Sequence, residues 1–174
     1  MKLKNIALSS IIAATMMSGY AHAADHGDVS FLGAVSAKTC DIEAVVDGAV
    51  KNLVQLGTVT VGGPNSEKEF ELRLKDPATC DLTGTPAAFV TWNSGSFNAT
   101  GLANANGTAK DAVVKLAAVN AKTANTEINS SATDVEFVSN QIKTDGGFKF
   151  KATLIPGTQK GTVDTAAAFA VRYE

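Results

Sequence analysis

The last fourteen residues, 161–174, run GTVDTAAAFAVRYE, and their alternation constrains the fold more than any other segment. From Val163 onward the odd positions are Val163, Thr165, Ala167, Phe169, Val171 and Tyr173, while the even ones include Thr162, Asp164 and Arg172. A period of two belongs to a strand with one buried and one wet face. A strand at the end of a chain needs a partner on both of its edges. Near the other end Gly27, Val29, Phe31, Gly33 and Val35 alternate in the same way. Two alternating terminal strands predict that one chain's end completes another chain's sheet.

The N-terminus reads as a leader. Lys2 and Lys4 precede an apolar stretch at 6–17 that is too short for a bilayer-spanning helix, and Ala21-His22-Ala23 fits the small-x-small cleavage rule. The expected signal peptide is 1–23, which makes the product an exported one. Residues 24–174 then form a single domain with enough chain for one core. Loss of Lys2 and Lys4 takes the 15 basic residues to 13 against 17 acidic ones, a charge of −4. A mildly acidic domain is unsuited to a nucleic-acid partner. Cys40 and Cys80 are an even pair, which in an oxidising compartment predicts a disulfide.

Short alternating runs recur along the chain. They occur at 29–37, in Phe70, Leu72 and Leu74, in Ala88, Val90 and Trp92, and in Phe148, Phe150, Ala152 and Leu154. Apolar runs at 53–61, 112–119 and 135–138 are further strand candidates. Turn signals such as Gly62-Gly63-Pro64 and Asp145-Gly146-Gly147 separate them. The pattern predicts an all-β sandwich of immunoglobulin-like size. The small, polar stretch at 95–107 reads as a long surface loop.

Four pieces in this order resemble the major pilin subunits of the Gram-negative chaperone–usher pathway. They are the alternating arm with Gly33-x-Val35 before Cys40, the run Val54-Gln55-Leu56-Gly57-Thr58-Val59, Phe70-x-Leu72-x-Leu74 ahead of Cys80, and the terminal strand with Gly161 fourteenth from the end and Tyr173 next to last. The resemblance implies an immunoglobulin-like sandwich lacking its last strand, with a pilin domain over 33–174. It implies a donor-strand arm over 24–32, with Val29 and Phe31 as pocket fillers and Gly27 as the small residue at a shallow pocket. Asp25, at the next alternating position, departs from related arms. A groove bordered by Gly161, Val163, Ala167, Phe169, Val171 and Tyr173 would first take a strand of a periplasmic chaperone. At an outer-membrane usher it would then take the arm of the next identical subunit, in a shaft that supports a tip adhesin at the cell surface.

Enzyme chemistry finds little support. His26 is the one histidine outside the leader, and no Ser or Cys has a matching His and carboxylate pattern. Glu67, Glu69 and Glu71 alternate as a solvated face would. Neither a cofactor nor a metal site is expected. The competing expectation is a shaft subunit that itself binds a host glycan, with Trp92 stacking on a sugar ring beside Asn93 and Asn98; the plainer one has Trp92 inside the sandwich.

Overall fold

The chain builds eleven strands and one helical turn among its described residues: β1 Ile42–Val46, β2 Ala49–Val50, β3 Ser66–Leu74, β4 Ala87–Asn93, β5 Phe97–Asn98, β6 Gly101–Ala103, β7 Val113–Ala118, β8 Thr126–Ile128, β9 Asp134–Val138, α1 Gln141–Thr144, β10 Phe148–Ile155 and β11 Ala168–Tyr173. The computed structural model describes Gly33 and residues 40–174. All of these fall within one compact unit, Phe31–Glu174. The leader, the 24–32 arm and, apart from Gly33, the alternating stretch at 29–37 lie outside the described residues.

Alternation decides which face each strand buries. In β3, Phe70, Leu72 and Leu74 go inside, and in β10, Phe148, Phe150, Ala152 and Leu154 do. Glu67 and Glu71 stay outside, paired with Lys151 and Arg73. The first sheet has the order β2-β1-β3-β10-β7-β6-β5, with β8 also on β7, and the second has the order β11-β4-β9. Every pairing is antiparallel. The β1–β2 hairpin turns on Asp47 and Gly48, with φ of 54° and 76°, the pair of positive values that a two-residue turn between twisted strands requires.

The two sheets meet through aromatic rings. Phe70 and Phe150 sit opposite one another in the β3–β10 register and stack at 5.6 Å. From the other sheet Trp92 packs edge-on against Phe150 at 5.2 Å, and Phe137 lies 4.5 Å from Phe148. These contacts make the interior of a two-layer sandwich, the predicted all-β immunoglobulin-like class. Cys40 and Cys80 are joined as a disulfide with Cα atoms 5.2 Å apart, tying the start of β1 to the approach to β4.

Several boundaries differ from the sequence expectation. The 95–107 stretch is not an open loop: it holds β5 and β6, closed by Asn98, whose side-chain oxygen accepts from the backbone N–H of Thr100 and Gly101 at 2.8 and 3.0 Å. A polar residue that supplies local acceptors makes such a hairpin tight without apolar alternation. The 53–61 segment joins no ladder. The terminal strand is paired in β11 from Ala168, five residues later than its alternation begins.

Candidate strand-accepting groove

β11 lies at the edge of its sheet, with β4 as its ladder partner among the described residues. Glu174 and Ala87 exchange both N–H···O bonds, at 2.9 and 3.0 Å. Because bonded and non-bonded pairs alternate in an antiparallel ladder, Arg172, Ala170 and Ala168 also turn their backbone groups to β4. Phe169 and Val171 therefore turn theirs to the opposite edge. Trp92, across from Phe169, donates its N–H to Thr133 on its far side at 2.8 Å, in keeping with that parity.

The same parity runs back through 162–167, although no strand is paired there. The Thr162 carbonyl accepts from the Ala109 N–H, the Asp164 carbonyl accepts from Ala105 and Asn106, and the Ala166 carbonyl accepts from the Ser94 hydroxyl at 2.6 Å. Val163, Thr165 and Ala167 have no backbone hydrogen bond among the described residues. Odd residues from Val163 to Val171 thus share one edge that is bare among the described residues, while their side chains alternate inward: Val163, Thr165 and Ala167 are half-buried between exposed neighbours.

Facing this edge is the 53–61 segment, whose residues 53–59 likewise carry no backbone hydrogen bond among the described residues. Between the two walls runs a cleft of about 890 Å³ lined by Leu56, Val59, Leu154 and Val163. It adjoins a second volume of about 320 Å³ that reaches Phe70, Trp92, Leu116 and Phe169. Val54, Leu56, Val59, Val163, Ala167, Phe169 and Val171 all pack on the core yet remain only partly covered. Two walls with unbonded backbone and an apolar floor make a slot shaped for an extended chain.

The wet face of β11 is fastened across all three strands. Arg172 donates to both Asp134 carboxylate oxygens on β9, at 3.0 and 2.7 Å, and to Thr91 Oγ1 on β4 at 3.2 Å. Its guanidinium stands 4.3 Å over the Phe89 ring. Burial pushes the Asp134 carboxyl upward, but hydrogen bonds from Arg172 and Thr91 and the Arg172 charge outweigh it and hold the group below the ordinary carboxylate range. A depressed folded value stabilises above the unfolded value of about 3.9 and is lost as pH falls through the folded one. The Asp134 side chain is 40% exposed, so the pair contributes about 0.2–1 kcal/mol. Denaturant midpoints measured from pH 7 down to pH 3 should fall more steeply for the wild-type chain than for Asp134→Asn. Tyr173, near the C-terminal end of β11, is 1% exposed, and burial pushes its hydroxyl up to about 12, so it stays neutral inside the core.

The structure brings Val163, Ala167, Phe169 and Val171 together along the bare edge; Tyr173 is fully inside the core and Gly161 is exposed at the far end. Gly27, Val29 and Phe31 lie outside the described residues. Trp92 is 6% exposed and packs against Phe70, Phe150 and Phe169, with the ring geometry of a core residue. In the sequence the second wall at 53–61 is a strand candidate and carries the Val54–Val59 run of the pilin resemblance; its lack of ladder partners cannot be read from periodicity. No cluster of three metal-ligating side chains occurs among the described residues.

A β-sandwich whose edge strand lies unbonded, among the described residues, beside an apolar slot has the geometry to take up an extended chain. No family model matches the chain. It is, however, 39% identical over 173 residues to the F107 fimbrial protein of Escherichia coli, covering 99% of this chain and 100% of that protein. It is 27% identical over 186 residues to the K99 fimbrial protein of Escherichia coli, covering 98% and 99%. The chain belongs to this fimbrial protein family, as a structural pilus subunit of the chaperone–usher type.

Proposed function

We propose that this subunit polymerises head-to-tail, the groove of one copy receiving residues 24–32 of the next. The bare odd-residue edge from Val163 to Val171 beside the apolar cleft is the observation that carries this reading. An added strand supplies backbone hydrogen bonds to that edge, and Val29 and Phe31 fill the floor. Full burial of each contributes about 1.5–3 kcal/mol. A head-to-tail joint that does not close on itself produces a filament. Before assembly the same edge is an aggregation hazard. A periplasmic chaperone strand covers it. Export uses the 1–23 leader, and an outer-membrane usher exchanges chaperone for arm. Receptor binding belongs to a separate tip adhesin, and the subunit itself has no catalytic role, cofactor or nucleic-acid partner.

Deletion of residues 24–32, with the leader retained, should leave cells without filaments in electron micrographs while the folded subunit is still exported. Gly27→Trp should reduce filament number by placing a bulky ring at the position that the pilin resemblance assigns to a shallow pocket. Filaments of normal length from the deletion variant would overturn the reading.

A further inference from the structure

Residues 162–167 hold the line of β11 without belonging to a ladder, and beside the bonds from Ser94, Ala105, Asn106 and Ala109 one side chain, Asn104, grips them at both Thr162 and Asp164. Asn104 donates from Nδ2 to the carbonyls of Ala109 and Thr162, at 2.7 and 3.0 Å. Its Oδ1 accepts from the N–H of Gly107 and Asp164, at 3.1 and 2.8 Å. All four hydrogen-bonding positions of the amide are therefore used. Thr108 and Thr162 add a reciprocal pair: the Thr108 N–H donates to the Thr162 hydroxyl at 3.1 Å, and the Thr162 N–H donates to the Thr108 hydroxyl at 3.0 Å. The approach is close enough that a Cβ on Gly107 would collide with the Thr162 carbonyl and Asn104 Oδ1.

Those of these bonds that reach the terminal segment engage its even-numbered residues, Thr162 and Asp164. That fixes the rotation of the chain about its own axis. Val163, Thr165 and Ala167 must then present their backbone groups to the groove and their side chains to its floor. Without the clamp, nothing in the β4 ladder reaches these residues, since β4 pairing ends at Ala168 opposite Asn93.

We infer that Asn104 is a positioning residue that extends the strand-accepting edge from β11 back to Val163, so that an incoming strand pairs along 163–171 rather than along β11 alone. The inference rests on the donor-arm reading above. Asn104 acts through Thr162 and Asp164, and need not touch the arm. Asn104→Asp keeps the acceptors for Gly107 and Asp164 but removes both donors and sets a carboxylate against two carbonyls. Gly107→Val reaches the same clamp from the other side without altering Asn104.

The test is residue-resolved amide exchange on filaments of the full-length subunit. In wild-type filaments the amides of Val163, Thr165 and Ala167 should be protected along with those of Phe169 and Val171. In Asn104→Asp filaments protection at 163, 165 and 167 should drop by about tenfold or more, while the β4 and β10 amides keep theirs. A general structural role would instead lower protection throughout. Wild-type filaments protected at 169 and 171 but freely exchanging at 163–167 would overturn this inference and leave the donor-arm reading standing. Absence of protection at every odd position would overturn both. Unchanged protection in Asn104→Asp and Gly107→Val would remove Asn104 from the role.

Discussion

Trp92→Ala should abolish the folded subunit, and filaments with it. The indole lies where the two sheets meet, edge-on to Phe150 at 5.2 Å and to Phe70 at 6.0 Å, with Phe169 of the terminal strand at 5.6 Å. Truncating a buried tryptophan to alanine costs about 3–5 kcal/mol, from lost transfer energy and the cavity left behind. Against a total stability of about 5–15 kcal/mol, that is a large share. Here the loss is compounded, because Phe169 is only half-buried and depends on the indole for one of its walls. Yield of soluble subunit and the denaturant midpoint measure it. Normal filaments that had lost only receptor binding would reverse the assignment and make Trp92 a surface residue for a glycan.

Cys40→Ser should have an effect of similar size. The bridge closes a loop with a sequence separation of 40 residues. On the chain-entropy account a loop of this length stabilises by about 4 kcal/mol. The loop contains β1, β2, β3 and the 53–61 wall, so its looseness would be felt at the groove first. Cys80 is 2% exposed, which leaves the unpaired thiol of the variant in the core. Subunit amounts in the cell should collapse, and purified material should unfold at a much lower denaturant concentration. A midpoint close to the wild-type value would show that the bridge is incidental to stability.

Period-two alternation made β3, β4 and β10 legible, because each has one face in the sandwich and one in water. The terminal strand was legible for the same reason, but its pairing was not: alternation reports which side chains are buried, not what bonds the backbone. Residues 162–167 alternate as a strand does, and yet their even members bond to Asn104, Thr108 and Ser94. A side-chain clamp between residues about 60 positions apart leaves no periodic trace. The β5–β6 hairpin was missed because Asn98 closes it through its own side chain, in a stretch too small and polar to show a buried face. Asp47 and Gly48 turn the β1–β2 hairpin with positive φ at both positions, a local preference that period-two alternation does not report. The 53–61 run reads as a strand candidate but joins no ladder, because an unpaired apolar segment and a buried strand have the same composition.

Trp92 had two sequence readings because an aromatic residue beside a turn suits either a sugar or a core. Its surroundings, set by the Phe169–Trp92 and Phe150–Phe70 registers, favour the second. Glu67 and Glu71 behave as the solvated face that their spacing suggested, paired with Lys151 and Arg73 across and along the sheet.

The central claim is that the groove is completed by the arm sequence, and the most direct measurement moves that sequence. Residues 33–174 followed by a short glycine turn and a copy of residues 24–32 would let one chain fill its own groove along the edge of β11. Thermal unfolding of this monomer is compared with that of the same chain carrying aspartate in place of Val29 and Phe31 in the copied arm. Two buried apolar side chains at about 1.5–3 kcal/mol each raise the melting temperature of a chain of this size by about 10 °C or more. That difference is expected if the arm completes the groove, together with a monomeric product that no longer forms filaments. Equal melting temperatures for the two chains would contradict the claim.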